Sequence, residues 1–252
     1  MTLAVRRSCL ADRMRAQAAV IFFFVAVAGC NRTARPASPS PSTAAPSPAA
    51  IQTDTPPAPS VDRRPVIVAF GDSLTAGYGT NAGESYPDDL QRALNARGYD
   101  YRVVNAGHSG DTSKDGVSRL PDVLDDHPVV AIVAFGGNDG LRGVPLSQTE
   151  ANLRTIITQF QAAKTKVILG GITLPPNYGS AYIARFNTMY RQLAKDYHVP
   201  LLPFMLKDVY GVPGDMQADG IHATAKGNRR VAANFLPYLL PLLHRQAGSG
   251  GK

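Results

Sequence analysis

Five short apolar runs, mostly β-branched, punctuate the chain: Val66–Phe70, Tyr101–Asn105, Val129–Phe135, Val167–Ile172 and Pro200–Phe204. Each is nearly continuous rather than alternating, the pattern of strands covered on both faces. The segments between them have helical spacing. Ser85–Arg97 carries Tyr86, Leu90 and Leu94 at intervals of four, which forms one face of a helix. Ser118–Leu124 follows a glycine. Ser147–Ala163 puts Leu153, Ile156, Ile157 and Phe160 on one side, and Ser147 with Glu150 reads as a capping box. Ser180–Tyr197 and Thr224–Leu243 complete the set. Strands alternating with helices predict an α/β fold: a three-layer α/β/α sandwich on a five-stranded parallel sheet in the flavodoxin-like order. No internal repeat is visible.

Ahead of the first strand the pattern changes twice. Arg6, Arg7, Arg13 and Arg15 precede the apolar run Ala18–Ala28, about eleven residues, where a bilayer span needs roughly twenty. A basic region before a short apolar one reads as a secretory signal. It ends in Val27-Ala28-Gly29-Cys30, which resembles the bacterial lipoprotein box and would make Cys30 the lipidated residue. A single-pass anchor or a plain cleaved signal are the alternatives. Arg6-Arg7 resembles a twin-arginine signal, though Cys9 stands where an aromatic is usual, and Met14 offers a second start. Residues 31–64 are Pro, Ser, Ala and Thr with few large apolar side chains, too little surface to offset ordering entropy. The organisation expected is a signal over 1–29, a disordered tether over 30–64, one domain over 65–245 and a flexible tail over 246–252. Such a chain would be exported and lipid-anchored in a bacterial cell envelope.

The formal charge of +7 suggests a nucleic-acid partner until it is located. Residues 1–64 hold eight Lys/Arg against three Asp/Glu, and residues 65–252 hold 18 against 16. The domain is almost balanced, so no nucleic-acid partner is expected. Both cysteines, Cys9 and Cys30, lie ahead of the domain, which excludes a disulfide framework there.

Candidate chemistry sits just after the strands, where open α/β sheets bind ligands. The first strand stops at Gly71-Asp72-Ser73. A serine nucleophile needs a base, an acid to orient that base, and donors for an oxyanion. Of five histidines, His127 and His198 precede strands and His244 ends the last helix, leaving His108 and His222. His222 lies three residues after Asp219, so one turn can aim both at a single point. Glycine-rich loops follow the second strand (Asn105–Thr112) and the third (Gly136–Gly140, containing Asn138). Gly-Asp-Ser, Asp-x-x-His and either loop would each, alone, be ordinary turn chemistry.

Together they form a pattern. "FGDSLTAGYG", "NAGHSGDTS", "GGNDGLRG" and "MQADGIHATAKG" follow successive strands, and in that order they resemble the blocks of the SGNH, or GDSL, hydrolase family over nearly all of 65–245. "LPPNYG" and "VPLLPF" are similar to its bacterial acyl-CoA thioesterase I, lysophospholipase and arylesterase branch. One departure is Ala223, where many members have proline. The resemblance implies a serine esterase that needs no cofactor. Ser73 would be the nucleophile, His222 the base and Asp219 its orienting acid. The oxyanion would lie between the N–H groups of Ser73 and Gly110 and the Asn138 amide, Gly110 rather than Gly107 being the match to "SGDTS". Asp72 reads as a turn residue. Substrates implied are lysophospholipids, aryl or short-to-medium acyl esters, and acyl thioesters. The sequence also leaves open a polysaccharide O-acetyl esterase and a non-catalytic surface binding module, and it sets neither acyl-chain length nor oligomeric state.

Overall fold

The computed structural model describes residues 62–245. The expected signal, Cys30, the tether up to residue 61 and the tail over 246–252 lie outside the described residues.

Five parallel strands form one sheet in the order β2-β1-β3-β4-β5, as the apolar runs predict. The strands are β1 (Val66–Gly71), β2 (Arg102–Gly107), β3 (Val130–Ala134), β4 (Lys166–Gly170) and β5 (Leu201–Leu202). β1 and β3 are buried along their whole length. β2 is half-exposed, because it is an edge strand paired only with β1. The helices between strands are α1 (Ser73–Ala76), α2 (Tyr86–Asn95), α3 (Ser113–Leu124), α4 (Gly137–Leu141), α5 (Leu146–Ala162) and α6 (Ser180–Asp196), and α7 (Ala225–Leu239) closes the domain.

Three details depart from the sequence reading. α3 starts at Ser113, not Ser118, and Gly116 lies inside it. There a Cβ would fall 2.9 Å from the Phe135 ring, so that glycine permits close packing rather than marking a break. α5 starts at Leu146 without a side-chain cap, because the Pro145 carbonyl already accepts the N–H groups of Gln148 and Thr149. Glu150 pairs with Arg154 instead. The capping boxes stand elsewhere, at Ser85–Asp88 and Thr112–Asp115. Finally, the loops after β1 and β3 contain single helical turns, α1 and α4.

The strand order reverses direction at β1, with β2 on one side and β3 to β5 on the other, so a crevice opens between the ends of β1 and β3. α7 then returns the chain to that crevice. Its Phe235 ring stacks on Tyr86 of α2 at 5.2 Å, and its Asn228 amide donates to the Glu84 carbonyl at 2.9 Å. The segment just before α7 is thereby carried over the end of β1, although it follows β5 in sequence.

Candidate active site

β1 passes directly into α1, and Asp72 makes the turn. Its Oδ1 accepts the Leu74 N–H at 3.0 Å, an N-cap bond, and its carbonyl accepts from Thr75 and Ala76. Ser73, the first residue of α1, is thus held at the mouth of the crevice. The Ser73 Oγ lies 2.9 Å from His222 Nε2. On the other side of the imidazole, Nδ1 lies 2.7 Å from Asp219 Oδ2. Asp219 Oδ1 accepts the N–H groups of Ile221 and His222 at 2.9 and 3.0 Å, the turn that makes a spacing of three converge.

Partial desolvation pushes the Asp219 carboxyl up. The His222 ring and the N–H groups of Ile221 and His222 together outweigh it and bring it down to about 2. Asp219 is therefore an acceptor at neutral pH, so Nδ1 carries the proton of that bond and Nε2 is free to accept from the serine hydroxyl.

Gly110 and Asn138 line the same cavity as Ser73. Gly110 has φ +90°, a conformation that costs most other residues energy. Among the described residues the N–H groups of Ser73 and Gly110 donate no hydrogen bond. The Asn138 amide donates one hydrogen to the Asp111 carbonyl at 2.8 Å, which fixes its orientation and leaves its second N–H available. Asp111 is held in turn by Arg119 at 2.7 Å, whose guanidinium also reaches the carbonyls of Ala106 and Gly71. Asp139 accepts from Ser113 and Thr149, tying α4 to α3 and α5.

The cavity measures about 700 Å³. Beyond the serine its wall is apolar, with Ile172 and Leu174 after β4, Ile183 on α6, and Phe204 and Leu206 after β5. Among the described residues no three His, Cys, Asp or Glu side chains group together as metal ligands.

Known proteins resemble this chain in sequence and fold. The model of the GDSL-like Lipase/Acylhydrolase family matches residues 69–230. The chain belongs to that family. It is similar to Esterase TesA of Pseudomonas aeruginosa, 44% identical over 178 residues, which are 70% of this chain and 89% of that protein. It is also similar to "Thioesterase 1/protease 1/lysophospholipase L1" of Escherichia coli (strain K12), 41% identical over 182 residues, 72% of this chain and 86% of that one. A crystal structure of TesA matches with a TM-score of 0.69 at 44% identity, covering 71% of this chain and 99% of that one. This GDSL-like protein is accordingly a hydrolase of ester bonds.

Of the residues singled out from the sequence, Ser73, His222 and Asp219 form one hydrogen-bonded chain, with Gly110 and Asn138 beside it. His108 is exposed on the loop after β2, where its N–H bonds the Gly71 carbonyl. His127 and His198 occupy left-handed turns ahead of β3 and β5. The reading missed the Arg119–Asp111 pair, because nothing in the spacing signals that a helix of this hydrolase braces a loop. It also missed Tyr78, whose ring lies 4.7 Å from the His222 ring.

Asp72 is a turn residue with an unusual titration. Burial, then the nearby carboxylates Asp139 and Asp111, raise its carboxyl to about 7, against the opposing pull of the Leu74 N–H. A carboxyl raised on folding binds its proton more tightly in the native state, so its contribution to stability falls as pH rises from about 4 to 7. Asp72→Asn keeps the cap acceptor and removes the buried charge. It is expected to be more stable than the wild type at pH 8, by at most about 4 kcal/mol, and to lose that advantage as pH falls to 4. Urea midpoints across that range check this.

Proposed function

We propose that this hydrolase cleaves carboxylic esters of apolar acyl chains, lysophospholipids among them, through an acyl-enzyme on Ser73. The carrying observation is the Asp219–His222–Ser73 chain of hydrogen bonds, 2.7 and 2.9 Å long, at the mouth of a 700 Å³ apolar cavity. His222 Nε2 takes the hydroxyl proton as Ser73 Oγ attacks the acyl carbon. The carbonyl oxygen becomes an oxyanion, with the N–H groups of Ser73 and Gly110 and the free N–H of Asn138 to receive it. The tetrahedral intermediate collapses, the C–O bond to the alcohol breaks, and His222 returns the proton to the leaving oxygen. Water then attacks the acyl-enzyme by the same route and frees the acid. Asp219 holds the imidazole in the required tautomer throughout.

The apolar wall supports a fatty acyl chain as the group retained after attack. The names of the relatives, a thioesterase and lysophospholipase in Escherichia coli and an esterase in Pseudomonas aeruginosa, support esters and thioesters of such chains. An acetyl group would leave most of the cavity unfilled, which disfavours a polysaccharide deacetylase. Export, inferred from the leader, puts acyl-CoA out of daily reach and favours oxygen esters. We place the domain in the cell envelope, held to a membrane by lipid on Cys30.

Three outcomes follow. On p-nitrophenyl esters of increasing chain length, kcat/KM should rise beyond acetate, lysophosphatidylcholine should be hydrolysed, and a fluorophosphonate should label Ser73. Ser73→Ala should be folded, unlabelled and inactive, and a flat chain-length profile or labelling elsewhere would refute the reading. Asn138→Ala should lower kcat by about 10²–10³-fold, roughly 2.7–4 kcal/mol, with KM much less changed; a normal kcat with a lowered melting temperature would make Asn138 a scaffold residue instead. Cys30→Ser should leave a precursor without lipid, and mass spectrometry finding an unlipidated mature terminus in the wild type would remove the anchor.

A further inference from the structure

His222 and Ser73 belong to loops 149 residues apart in sequence, and the hydrogen bond between their side chains sits at a cavity mouth open to water. A single part-buried bond of that kind contributes only about 1 kcal/mol net. It cannot hold two loops in register by itself. The loops must be fixed by something else, close to the imidazole and on both sides of it.

One side chain meets that description. Gln217 Nε2 donates to the Tyr78 carbonyl at 2.6 Å, on the segment that follows α1. Its other hydrogen goes to the Ala223 carbonyl at 2.9 Å, the residue after His222. The Gln217 backbone N–H donates to the His222 carbonyl at 2.8 Å, and Met216 pairs with Ala223 in a one-residue antiparallel bridge. Both hydrogens of the amide are thus used, one on each loop. The fit is close: Gly79 has φ +75°, and a Cβ there would lie 2.3 Å from Gln217 Oε1. The carbonyl that Gln217 grips belongs to Tyr78, whose ring packs on the imidazole. The amide therefore fixes the backbone on one side of His222 and the aromatic face on the other.

We infer that Gln217 is a positioning residue for the reaction, a clasp that sets the distance and angle between His222 and Ser73. Other contacts anchor this loop to the fold at more remote points. Asp215 is fully buried and pairs with Lys226 and Arg230 of α7, and Asn228 bonds the Glu84 carbonyl. Those contacts keep the loop on the domain when Gln217 is changed, so the residue acts on geometry rather than on folding. The inference rests on the roles proposed for Ser73 and His222.

Two substitutions test it. Gln217→Glu keeps the shape and puts a carboxylate oxygen where a donor was, facing two carbonyls. Gln217→Met keeps the bulk and removes both donors. For each, kcat and KM on an activated aryl ester, the rate of fluorophosphonate labelling of Ser73, and the melting temperature are measured at 10 °C. Misplacement of catalytic groups by about 1 Å costs about 10²-fold. Both folded variants are expected to lose about 10- to 100-fold in kcat and in labelling rate, with KM within about twofold of wild type. A folded variant that keeps kcat within twofold, or one whose loss lies in KM, overturns the inference. So does failure of both to fold at 10 °C, since Gln217 would then be part of the fold itself. A wild type that does not label on Ser73 would instead overturn the proposed function.

Discussion

The constraint that the rest of the fold is arranged to meet is the 2.9 Å approach of the His222 ring to the Ser73 hydroxyl. It joins the first strand of the domain to the segment before its last helix. A parallel sheet makes this possible because every strand ends on the same side, and the 2-1-3-4-5 order leaves the end of β1 between neighbours that lead away in opposite directions. α7 supplies the remaining step by lying against α2 rather than beyond β5, through the Phe235–Tyr86 stack. A change to that stack would act on the site through the path of the chain and through Thr75 of α1, whose hydroxyl lies 3.3 Å from the Tyr86 hydroxyl.

The polar network around the site is more buried than the groups it serves. Asp72, Asp139 and Asp215 are buried, while Asp219 is exposed. Buried carboxylates are costly unless hydrogen-bonded, and here the cost maintains turn geometry: α1 is capped by Asp72, α4 is tied down by Asp139, and the segment before His222 is anchored by Asp215. The outermost acid, Asp219, needs only to accept, and three N–H groups let it do so.

Much of this was legible in the sequence, for identifiable reasons. β1, β3 and β4 are buried on both faces, so burial wrote itself into continuous apolar runs. Asp219 and His222 are three residues apart, so their convergence needed only a local turn. What escaped was non-local or depended on packing. Gly116 resembles a helix breaker in one dimension and becomes a contact surface for Phe135 and Ile156 in three. Ser147 and Glu150 have capping-box spacing, yet Pro145 starts the helix ahead of them. The Gln217–Tyr78 bond spans 139 residues, and no periodicity encodes such a pairing. The apolar wall was invisible for the same reason, since Ile172, Ile183 and Phe204 come from three separate segments.

The origin of that wall separates two properties of the molecule. Ser73, Gly110, Asn138 and the Asp219–His222 pair come from the loops after β1, β2 and β3 and from residues 219–222. The far wall of the cavity comes from the segments after β4 and β5 and from α6. The two sets share a cavity and meet on one stretch of backbone, the segment between β5 and α7. Variation in the second set can reshape what fits while the first keeps its geometry. The scaffold is thus a fixed tool with an exchangeable die: substitutions in the wall can alter the proposed acyl preference and leave the reacting groups in place.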